Sequence, residues 1–336
     1  MIEHLRNLVI DLEKSRHGGD LSYASFVYGE PKEGWIDLST GINPKPYPFL
    51  MPPDEIFSKL PDAPLKHALI EVARHYYSSN ATIVAGAGSQ AFIQSLPRLR
   101  EKSRVGIFSP TYSEHAQAWS KAGHEVHAIS ELFDKDHFDV LIIVNPNNPN
   151  GRCFAPGFLV DLAKRQNFGG GWLIVDEAFC DVDPGASVAP HAGEGGLVVL
   201  RSFGKFFGLA GLRLGFAICA LPLSIRLEGA LGPWAVSGPA LHIGRQALLD
   251  KGWHVIARQD LQARRKRLDA ILMAAGYNVV GGTDLFRLIG TNGARLHRQL
   301  AGSGIWAREF DFSSDILRVG LPGDENDWSR VEAALA

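Results

Sequence analysis

Short apolar runs alternate with segments of helix length between residues 82 and 219, and this alternation constrains the fold more than any other feature. The runs are Thr82–Ala85, Val105–Phe108, Glu125–Ile129, Val140–Val144, Trp172–Val175, Leu197–Leu200 and Leu214–Cys219. Val140–Val144 is apolar on both faces, as a strand of a parallel sheet covered by helices on both sides must be. The alternation therefore predicts an α/β domain in the middle of the chain.

The segments on either side of this region have other patterns. Apolar residues at helical spacing predict an amphipathic helix over 65–77, and a long helical stretch is expected over about 237–275. The tail combines strand-like and helical pieces, which indicates a small α+β domain: strands at Asp284–Ile289 and Ile316–Val319, helices at Gly293–Ala301 and Asn326–Leu335. The basic run Arg264–Arg267 lies in the long helical stretch and is expected to be a solvated face.

Composition excludes several classes of protein. The 336 residues suffice for two domains, and 34 Lys and Arg against 36 Asp and Glu give a net charge of -2, without the basic excess of a nucleic-acid or membrane-surface protein. Three widely spaced cysteines indicate neither a disulfide framework nor a thiolate metal site. The first 14 residues lack the apolar core of a signal peptide, and no apolar run reaches the length of a membrane span, so a cytoplasmic protein is expected.

The first of four notable loops follows the first predicted strand of the α/β region. Small residues at Gly88 and Ser89 precede a predicted helix, where free backbone N–H groups bind phosphate. Gly86-x-Gly88-x-x-Ala91 also matches a dinucleotide fingerprint. That reading is disfavoured because the next strand ends in Phe108-Ser-Pro rather than in an acid.

The other three loops also follow predicted strands, and ligands of open α/β sheets bind outside the carboxyl ends of strands. Asn145–Gly151 is rich in turn formers and alone indicates a stiff turn. Asp176 ends a buried strand, a costly position for an acid unless it meets a cation. Lys205 lies among aromatic residues and glycines, a setting that favours a nucleophilic amine. Gly204-Lys205 is no Walker motif, because Phe206 follows where Ser or Thr is required.

Together, these loops resemble those of the fold type I pyridoxal-phosphate enzymes, the aminotransferase class I/II family. The pattern S-x-x-K-x-x-G-x-x-G-x-R-x-G, over Ser202–Gly215, is highly specific, and the similarity covers nearly the whole chain. The resemblance implies a large domain with a mixed, mostly parallel seven-stranded sheet flanked by helices, and a small C-terminal α+β domain. It divides the chain into an N-terminal arm (1–45), a large cofactor-binding domain (46–225) and a small domain (226–336). A homodimer is also implied.

The resemblance further implies roles for individual residues. Lys205 would hold the cofactor covalently and move protons, and Asp176 would keep the ring nitrogen protonated. Tyr112 would stack on the ring, and Asn148 would donate a hydrogen bond to its phenolate oxygen. The cofactor phosphate would be bound by four residues, namely Gly88, Ser89, Ser202 and Arg213. No metal ion is implied.

Two residues depart from the family pattern. Many members have a tyrosine where this chain has Phe179, and that tyrosine contacts the phenolate oxygen. Members that act on histidinol phosphate have Tyr-Pro before the first helix, where this chain has Leu60-Pro61. Because that tyrosine reaches a neighbouring subunit's cofactor phosphate, the phosphate is expected to lack this bond here.

The N-terminal region narrows the reaction. The segments His17–Gly29 and Asp37–Pro44 resemble the opening of the threonine-phosphate decarboxylases of cobalamin biosynthesis, which make aminopropanol phosphate. The bond at the substrate's Cα that is perpendicular to the ring breaks, so a decarboxylase must hold the carboxylate out of the ring plane. A substrate with a carboxylate and a phosphate needs separate anchors, and the candidates are His17, Asn43, Arg308 and Arg318.

Three alternatives remain open from the sequence. A histidinol-phosphate aminotransferase shares the later loops, and it would hold the Cα hydrogen rather than the carboxylate perpendicular to the ring. A cofactor-binding regulatory module without turnover is disfavoured, because Lys205 is present and no additional helix-turn-helix segment is seen. A nicotinamide oxidoreductase is disfavoured by the missing acid of the dinucleotide fingerprint.

Overall fold

The structure is a computed structural model that describes residues 17–132, 137–167 and 169–336. The chain forms two compact units. Of the described residues, the smaller unit contains 17–41 together with Lys266–Val280 and Phe286–Ala336, and the larger unit contains those of Ile42–Arg265 and Gly281–Leu285. The first 16 residues of the predicted arm lie outside the described residues.

The regular elements of the described residues are numbered here in chain order. The helices are α1 (Leu21–Tyr28), α2 (Asp54–Ser58), α3 (Ala63–Tyr76), α4 (Ser89–Ser95), α5 (Ser113–Lys121), α6 (Pro156–Asn167), α7 (Leu221–Leu231), α8 (Gly238–Leu249), α9 (Lys251–Ala274), α10 (Gly293–Gly302) and α11 (Glu325–Leu335). The strands are β1 (Ile36–Asp37), β2 (Thr82–Gly86), β3 (Arg104–Phe108), β4 (Glu125–Ile129), β5 (Val140–Val144), β6 (Trp172–Asp176), β7 (Leu197–Ser202), β8 (Gly215–Cys219), β9 (Val279–Thr283), β10 (Phe286–Ile289), β11 (Ile305–Trp306), β12 (Arg308–Phe310) and β13 (Ser313–Gly320).

The larger unit contains a seven-stranded sheet in the order β2-β8-β7-β6-β5-β3-β4. β8 runs antiparallel to both of its neighbours, and the remaining adjacent pairs are parallel. The predicted mixed, mostly parallel sheet is confirmed, and each of the seven strands lies within two residues of its predicted ends. β5 is buried along its whole length, as expected for a strand that is covered on both faces.

The strand register brings the carboxyl ends of the central strands together. Val144 of β5 pairs with Asp176 of β6, and Asp176 pairs with Leu200 of β7. β2 runs in the same direction as β7, because both are antiparallel to β8. The loops that follow β2, β3, β5, β6 and β7 therefore leave the same edge of the sheet, where ligands of such sheets bind.

The predicted large domain (46–225) stays a prediction, and the larger unit that packing defines has other limits. It begins at Ile42, inside the predicted arm, and continues past residue 225 to Arg265. The reason is packing, because α8 packs against α3, and both helices belong to this unit. The predicted helical stretch over 237–275 is two helices separated at Asp250, whose carboxylate accepts the N–H of Trp253 (2.9 Å) and so caps α9.

The expectation of a solvated basic face at Arg264–Arg267 is wrong for its first two residues. Arg264 Nε lies 2.6 Å from Asp260 Oδ2, and its side chain is only 11% exposed. Arg265 Nε lies 2.6 Å from Asp284 Oδ1. Acidic residues on the same helix and on a neighbouring loop therefore hold these side chains against the protein.

The smaller unit contains a four-stranded sheet in the order β12-β13-β10-β9 and a short parallel pair of β1 and β11. β13 is antiparallel to both β10 and β12. Helices α10 and α11 pack together, and an aromatic group including Tyr28, Trp35 and Trp306 fills the region next to α1. The predicted small α+β domain is confirmed. Along the described part of the chain, no helix combines the length and the apolar character needed to cross a bilayer.

Substitution of Phe92 tests how much the packing of α4 against the core contributes to the stability of the larger unit. Its side chain is completely buried among residues of β2, β5, β7 and β8. Phe92→Ala should lower the free energy of unfolding by about 3–5 kcal/mol, because it removes a large apolar side chain and leaves a cavity. Urea unfolding measures this change. Phe312→Ala, at a side chain 53% exposed in the smaller unit, serves as the control and should change the value by no more than about 0.5 kcal/mol.

Candidate active site

Asp176 lies at the carboxyl end of β6, and its side chain is buried. Oδ2 lies 2.9 Å from Nε2 of His115, which is itself buried on α5, and Oδ1 accepts the backbone N–H of Ala178 at 3.1 Å. A buried acid without a partner would be costly, and here two groups on different elements hold it. The carboxylate therefore has a fixed orientation at the edge of the sheet.

Lys205 is half-buried in the loop between β7 and β8. Its Nζ lies 5.5 Å from the centroid of the Phe179 ring, so the residue that departs from the family pattern is next to the amine. The lysine carbonyl accepts the N–H of Asn43 (2.9 Å), and the Asn43 side chain donates to the Phe206 carbonyl (2.9 Å). Asn43, predicted to orient a substrate carboxylate, thus also anchors the lysine loop.

The turn after β2 brings together the residues predicted to bind phosphate. Gly88 precedes α4 with a φ of 78°, a conformation that glycine adopts without strain. A Cβ at this position would lie 2.7 Å from Arg213 Nη2, so the absence of a side chain leaves room for the guanidinium. Ser202 ends β7 and pairs with Gly215, and a Cβ at Gly215 would lie 2.4 Å from the N atom of Ser89.

This arrangement fits the phosphate end of pyridoxal phosphate. The structure brings Gly88, Ser89 and Arg213 together, and Ser202 enters the same region through its pairing with Gly215. Backbone N–H groups at a helix start, a hydroxyl group and an exposed guanidinium are the donors that phosphate oxygens accept. The buried carboxylate of Asp176 fits the ring-nitrogen end, since it has a fixed orientation and accepts hydrogen bonds.

Tyr112 immediately precedes α5 and belongs to a network with the start of α4. Its hydroxyl group lies 3.4 Å from Gln90 Oε1, and Gln90 Nε2 donates to the buried carboxylate of Glu114. The Tyr112 ring lies edge-on to the His115 ring at a centroid distance of 6.3 Å. Tyr112 is therefore close to the same histidine that holds Asp176.

The turn after β5 contains Asn148, whose side chain is half-buried. The neighbouring Asn147 is buried and accepts a hydrogen bond from Thr111 Oγ1 (2.6 Å), while its Nδ2 donates to the Pro110 carbonyl (3.0 Å). These bonds tie the Asn148 turn to the Tyr112 turn. The two turns contain the cis peptide bonds Ser109–Pro110, Asn145–Pro146 and Asn148–Pro149.

The remaining predicted substrate residues belong to the smaller unit. His17 and Arg308 line one cleft of about 830 Å³ in this unit, together with Trp306 and Phe310. Arg308 and Arg318 are paired across β12 and β13 and so project from the same face of the sheet. Arg318 is buried, donates to the Ser39 carbonyl, and lies 5.0 Å from the centroid of the Phe286 ring.

Sequence reasoning did not find His115, and it did not find a buried ion cluster directly behind the site. That cluster contains Glu177, Asp181 and Arg201, all nearly inaccessible to solvent. A signal existed for His115, which follows Tyr112 by three residues and so lies on the same face of a helix. For the cluster, the one signal was the adjacency of Glu177 to Asp176 and of Arg201 to Ser202.

Comparison with known proteins gives consistent matches. A family model described as aminotransferase class I and II matches residues 54–331. The threonine-phosphate decarboxylase of Pseudomonas aeruginosa is 46% identical over 323 residues, which cover 95% of this chain and 96% of that protein. The threonine-phosphate decarboxylase of a Sinorhizobium species is 45% identical over 95% of this chain and 97% of that protein.

The fold is also that of a solved structure. Histidinol-phosphate aminotransferase from Sinorhizobium meliloti, in complex with pyridoxal-5'-phosphate, superimposes with a TM-score of 0.78 at 18% identity. The match covers 96% of this chain and 95% of that one. At this identity the likeness establishes the fold, and the fold expected from the sequence is confirmed.

Gly215 provides a test of the close packing at the predicted phosphate turn. In Gly215→Ala the new methyl group would lie within 3 Å of backbone atoms of Gly88, Ser89 and Arg201, none of which moves easily. We expect a loss of about 1–3 kcal/mol of unfolding free energy, as for other overpacked sites. Thermal and urea unfolding measure it. The matched control is Gly211→Ala, whose methyl group meets nothing within 4 Å. Equal effects of the two substitutions would contradict the packing described for this turn.

Proposed function

The chain belongs to the aminotransferase class I and II family, and from this premise we propose that it decarboxylates L-threonine O-3-phosphate. The products would be (R)-1-aminopropan-2-yl phosphate and carbon dioxide, and the reaction would serve cobalamin biosynthesis. One observation carries the proposal: 46% identity over 95% of the chain to a protein named threonine-phosphate decarboxylase. The His17–Gly29 segment supports the same assignment from the sequence.

The cofactor is pyridoxal 5'-phosphate. When bound, it supplies an electron-withdrawing ring that accepts the electron pair of the bond broken at the substrate's Cα. At the ring-nitrogen end, we assign to Asp176 the role of holding a proton on that nitrogen. His115 orients the carboxylate through its Nε2, so the side chain that would accept the N–H of the ring nitrogen has a fixed direction.

At the other end of the cofactor, we assign binding of the phosphate group to four residues, Gly88, Ser89, Ser202 and Arg213. Their donors suit a dianionic phosphate, and the guanidinium supplies positive charge at the turn. Tyr112 would pack against the ring, and Asn148 would donate a hydrogen bond to the phenolate oxygen. Phe179 has no hydroxyl group, so the hydrogen bond that many relatives make from a tyrosine at this position is absent.

Lys205 would hold the cofactor covalently through Nζ and later transfer a proton. Decarboxylation removes carbon dioxide from Cα and requires a proton in its place, and the Lys205 amine is the group we assign to deliver that proton. The buried apolar ring of Phe179 lies on one side of this amine, with its centroid 5.5 Å from Nζ.

Selection of the bond to be broken would depend on where the substrate's anions are held. We propose that His17, Arg308 and Arg318 bind the carboxylate and phosphate, and that Asn43 helps to orient the carboxylate. The pairing of Arg308 with Arg318 supports this assignment, because two guanidinium groups on one sheet face suit a substrate with two anionic groups.

We also propose that the protein is a homodimer. Large apolar side chains are exposed along the segment before α3 and near α8: Leu50, Met51, Phe57, Leu60 and Trp234. Exposed apolar groups of this size are typical of an interface between subunits. We also propose a cytoplasmic location, in keeping with the proposed role as a decarboxylase of cobalamin biosynthesis.

Asp176→Asn tests the ring-nitrogen assignment. The amide cannot hold a proton on the nitrogen as a carboxylate does, so kcat should fall on the order of a hundredfold. Cofactor binding, measured by absorbance titration, should persist because the phosphate donors are intact. Steady-state release of carbon dioxide gives the kinetic value. Turnover within a factor of about three of the parent would mean that Asp176 acts only in folding.

The proposed reaction is tested with purified enzyme and L-threonine O-3-phosphate. Carbon dioxide and aminopropanol phosphate should form in equal amounts without any keto acid, because the cofactor returns to its starting state in each cycle. Unphosphorylated threonine should react poorly, since it lacks one of the two anions that fix its orientation.

Transamination of histidinol phosphate is the reaction that would contradict the decarboxylase assignment. Transfer of the amino group from histidinol phosphate to 2-oxoglutarate, with threonine phosphate left unchanged, would reject the decarboxylase assignment in favour of an aminotransferase. A visible absorption band from the lysine-bound cofactor is expected in either case.

A further inference from the structure

A buried ion cluster lies directly behind the proposed active site. Arg201 Nη1 donates to Glu177 Oε2, and Arg201 Nη2 donates to Asp181 Oδ1. Glu177 accepts two further hydrogen bonds at 2.6 Å, from Ser187 Oγ and from the N–H of Val188. The flat guanidinium of Arg201, on β7, therefore joins two carboxylates of the segment that follows β6.

The three side chains of the cluster are buried from solvent, and they are held by their contacts with one another and with Tyr77. Glu177, Asp181 and Arg201 are exposed by no more than 2%, and the guanidinium lies 4.6 Å from the centroid of the Tyr77 ring. Burial raises the pKa of Glu177, and the charge of Arg201 opposes that rise. Removal of one partner would leave a buried charge uncompensated, so the three side chains form one unit.

Each end of the cluster is next to a residue of the proposed site. Glu177 follows Asp176, and its N–H donates to the Leu200 carbonyl at 2.8 Å, which continues the β6–β7 ladder by one bond. Arg201 precedes Ser202 in β7. Consecutive residues of a strand project to opposite faces. The cluster therefore holds the backbone of Asp176 and Ser202 from the face opposite to their side chains.

A third connection leads to the lysine loop. Arg258 Nε donates to the Asp181 carbonyl at 2.8 Å, and its guanidinium lies 5.0 Å from the centroid of the buried Phe206 ring. Phe206 follows Lys205 and is completely surrounded by protein. Asp181 thus connects the cluster to the segment that contains the proposed covalent attachment site.

We propose that Arg201 is a positioning residue for the cofactor site, which fixes Asp176 and Ser202 relative to each other through its forked contact with Glu177 and Asp181. The proposal rests on the residue roles of the proposed function. Loss of the fork would let the ends of β6 and β7 shift, and small misplacements at a site that depends on orientation are costly. Asp176 could then no longer contact the ring nitrogen while Ser202 contacts the phosphate of the same cofactor molecule.

The decisive variant is Arg201→Lys. Lysine retains the positive charge but presents one ammonium group, which cannot bridge two carboxylates with the geometry of a guanidinium. We expect the dissociation constant of pyridoxal phosphate, measured by absorbance titration of the cofactor-free protein, to rise by about tenfold or more. The kcat of the holoenzyme should fall by up to about a hundredfold with little change in KM, because substrate anchors are not affected.

Arg264→Lys is the matched control. Arg264 belongs to the same unit, is 11% exposed, and forms an ion pair with Asp260 (2.6 Å). Both residues lie on α9, which contains none of the proposed site residues. The same substitution there should leave the cofactor dissociation constant and kcat within a factor of about two of the parent. Equal effects in the two variants, or an unchanged cofactor affinity in Arg201→Lys, would overturn the proposal.

A second variant decides the matter if Arg201→Lys fails to fold. In the triple variant Glu177→Gln, Asp181→Asn, Arg201→Met no buried charge is left unpaired, and replacing a whole buried ionic group is often neutral for stability. We expect a cooperative unfolding transition together with weakened cofactor binding. Parental cofactor affinity in this folded variant would reject the positioning role. Cofactor titration uses no substrate, so its result stands even if threonine phosphate is not the substrate.

Discussion

The structure of the site depends on a carboxylate held at the buried end of a strand. Asp176 follows four apolar residues of β6, and its side chain is buried like those of the three residues directly before it. An isolated acid in such a place would take up a proton or disrupt the fold. Here His115 from α5 and the backbone N–H of Ala178 hold the carboxylate. One side chain therefore connects the carboxyl edge of the sheet to helix α5 and to the turn after β6.

Other features of the larger unit follow from the same requirement. α5 has to bring His115 to the sheet edge, and this places Tyr112, at the start of that helix, next to the same edge. The turn of Asn147 is then tied to the turn before Tyr112 by two hydrogen bonds, one from Thr111 and one to the Pro110 carbonyl. The loops after β3, β5 and β6 are therefore mutually fixed.

The sequence predicted the sheet well because its strands are short apolar runs whose burial is visible in their composition. It also singled out four loops that follow strands, since Lys205 and Arg213 lie in a specific pattern and Asp176 ends an apolar run, and the roles of these residues stay predictions. It did not find His115, because the spacing of three residues from Tyr112 does not show a partner, and Asp176 comes next to this histidine only through tertiary packing. It missed the break at Asp250 and the ion pairs of Arg264 and Arg265, since both depend on acidic residues whose positions follow from the fold.

The choice between decarboxylation and transamination depends on a different kind of interaction from the one that holds the cofactor. In the roles that we propose, Asp176, Lys205 and the phosphate donors would serve both reactions equally, because each requires the same electron-withdrawing ring. What distinguishes the reactions is which bond at Cα is held perpendicular to the ring, and this is set by cations that bind the substrate's own anions. Arg308 and Arg318 are the residues with the charge and the shared sheet face for this task. The residues to which we assign the chemistry common to the family therefore belong to the larger unit, whereas most of those that we assign to substrate selection belong to the smaller one.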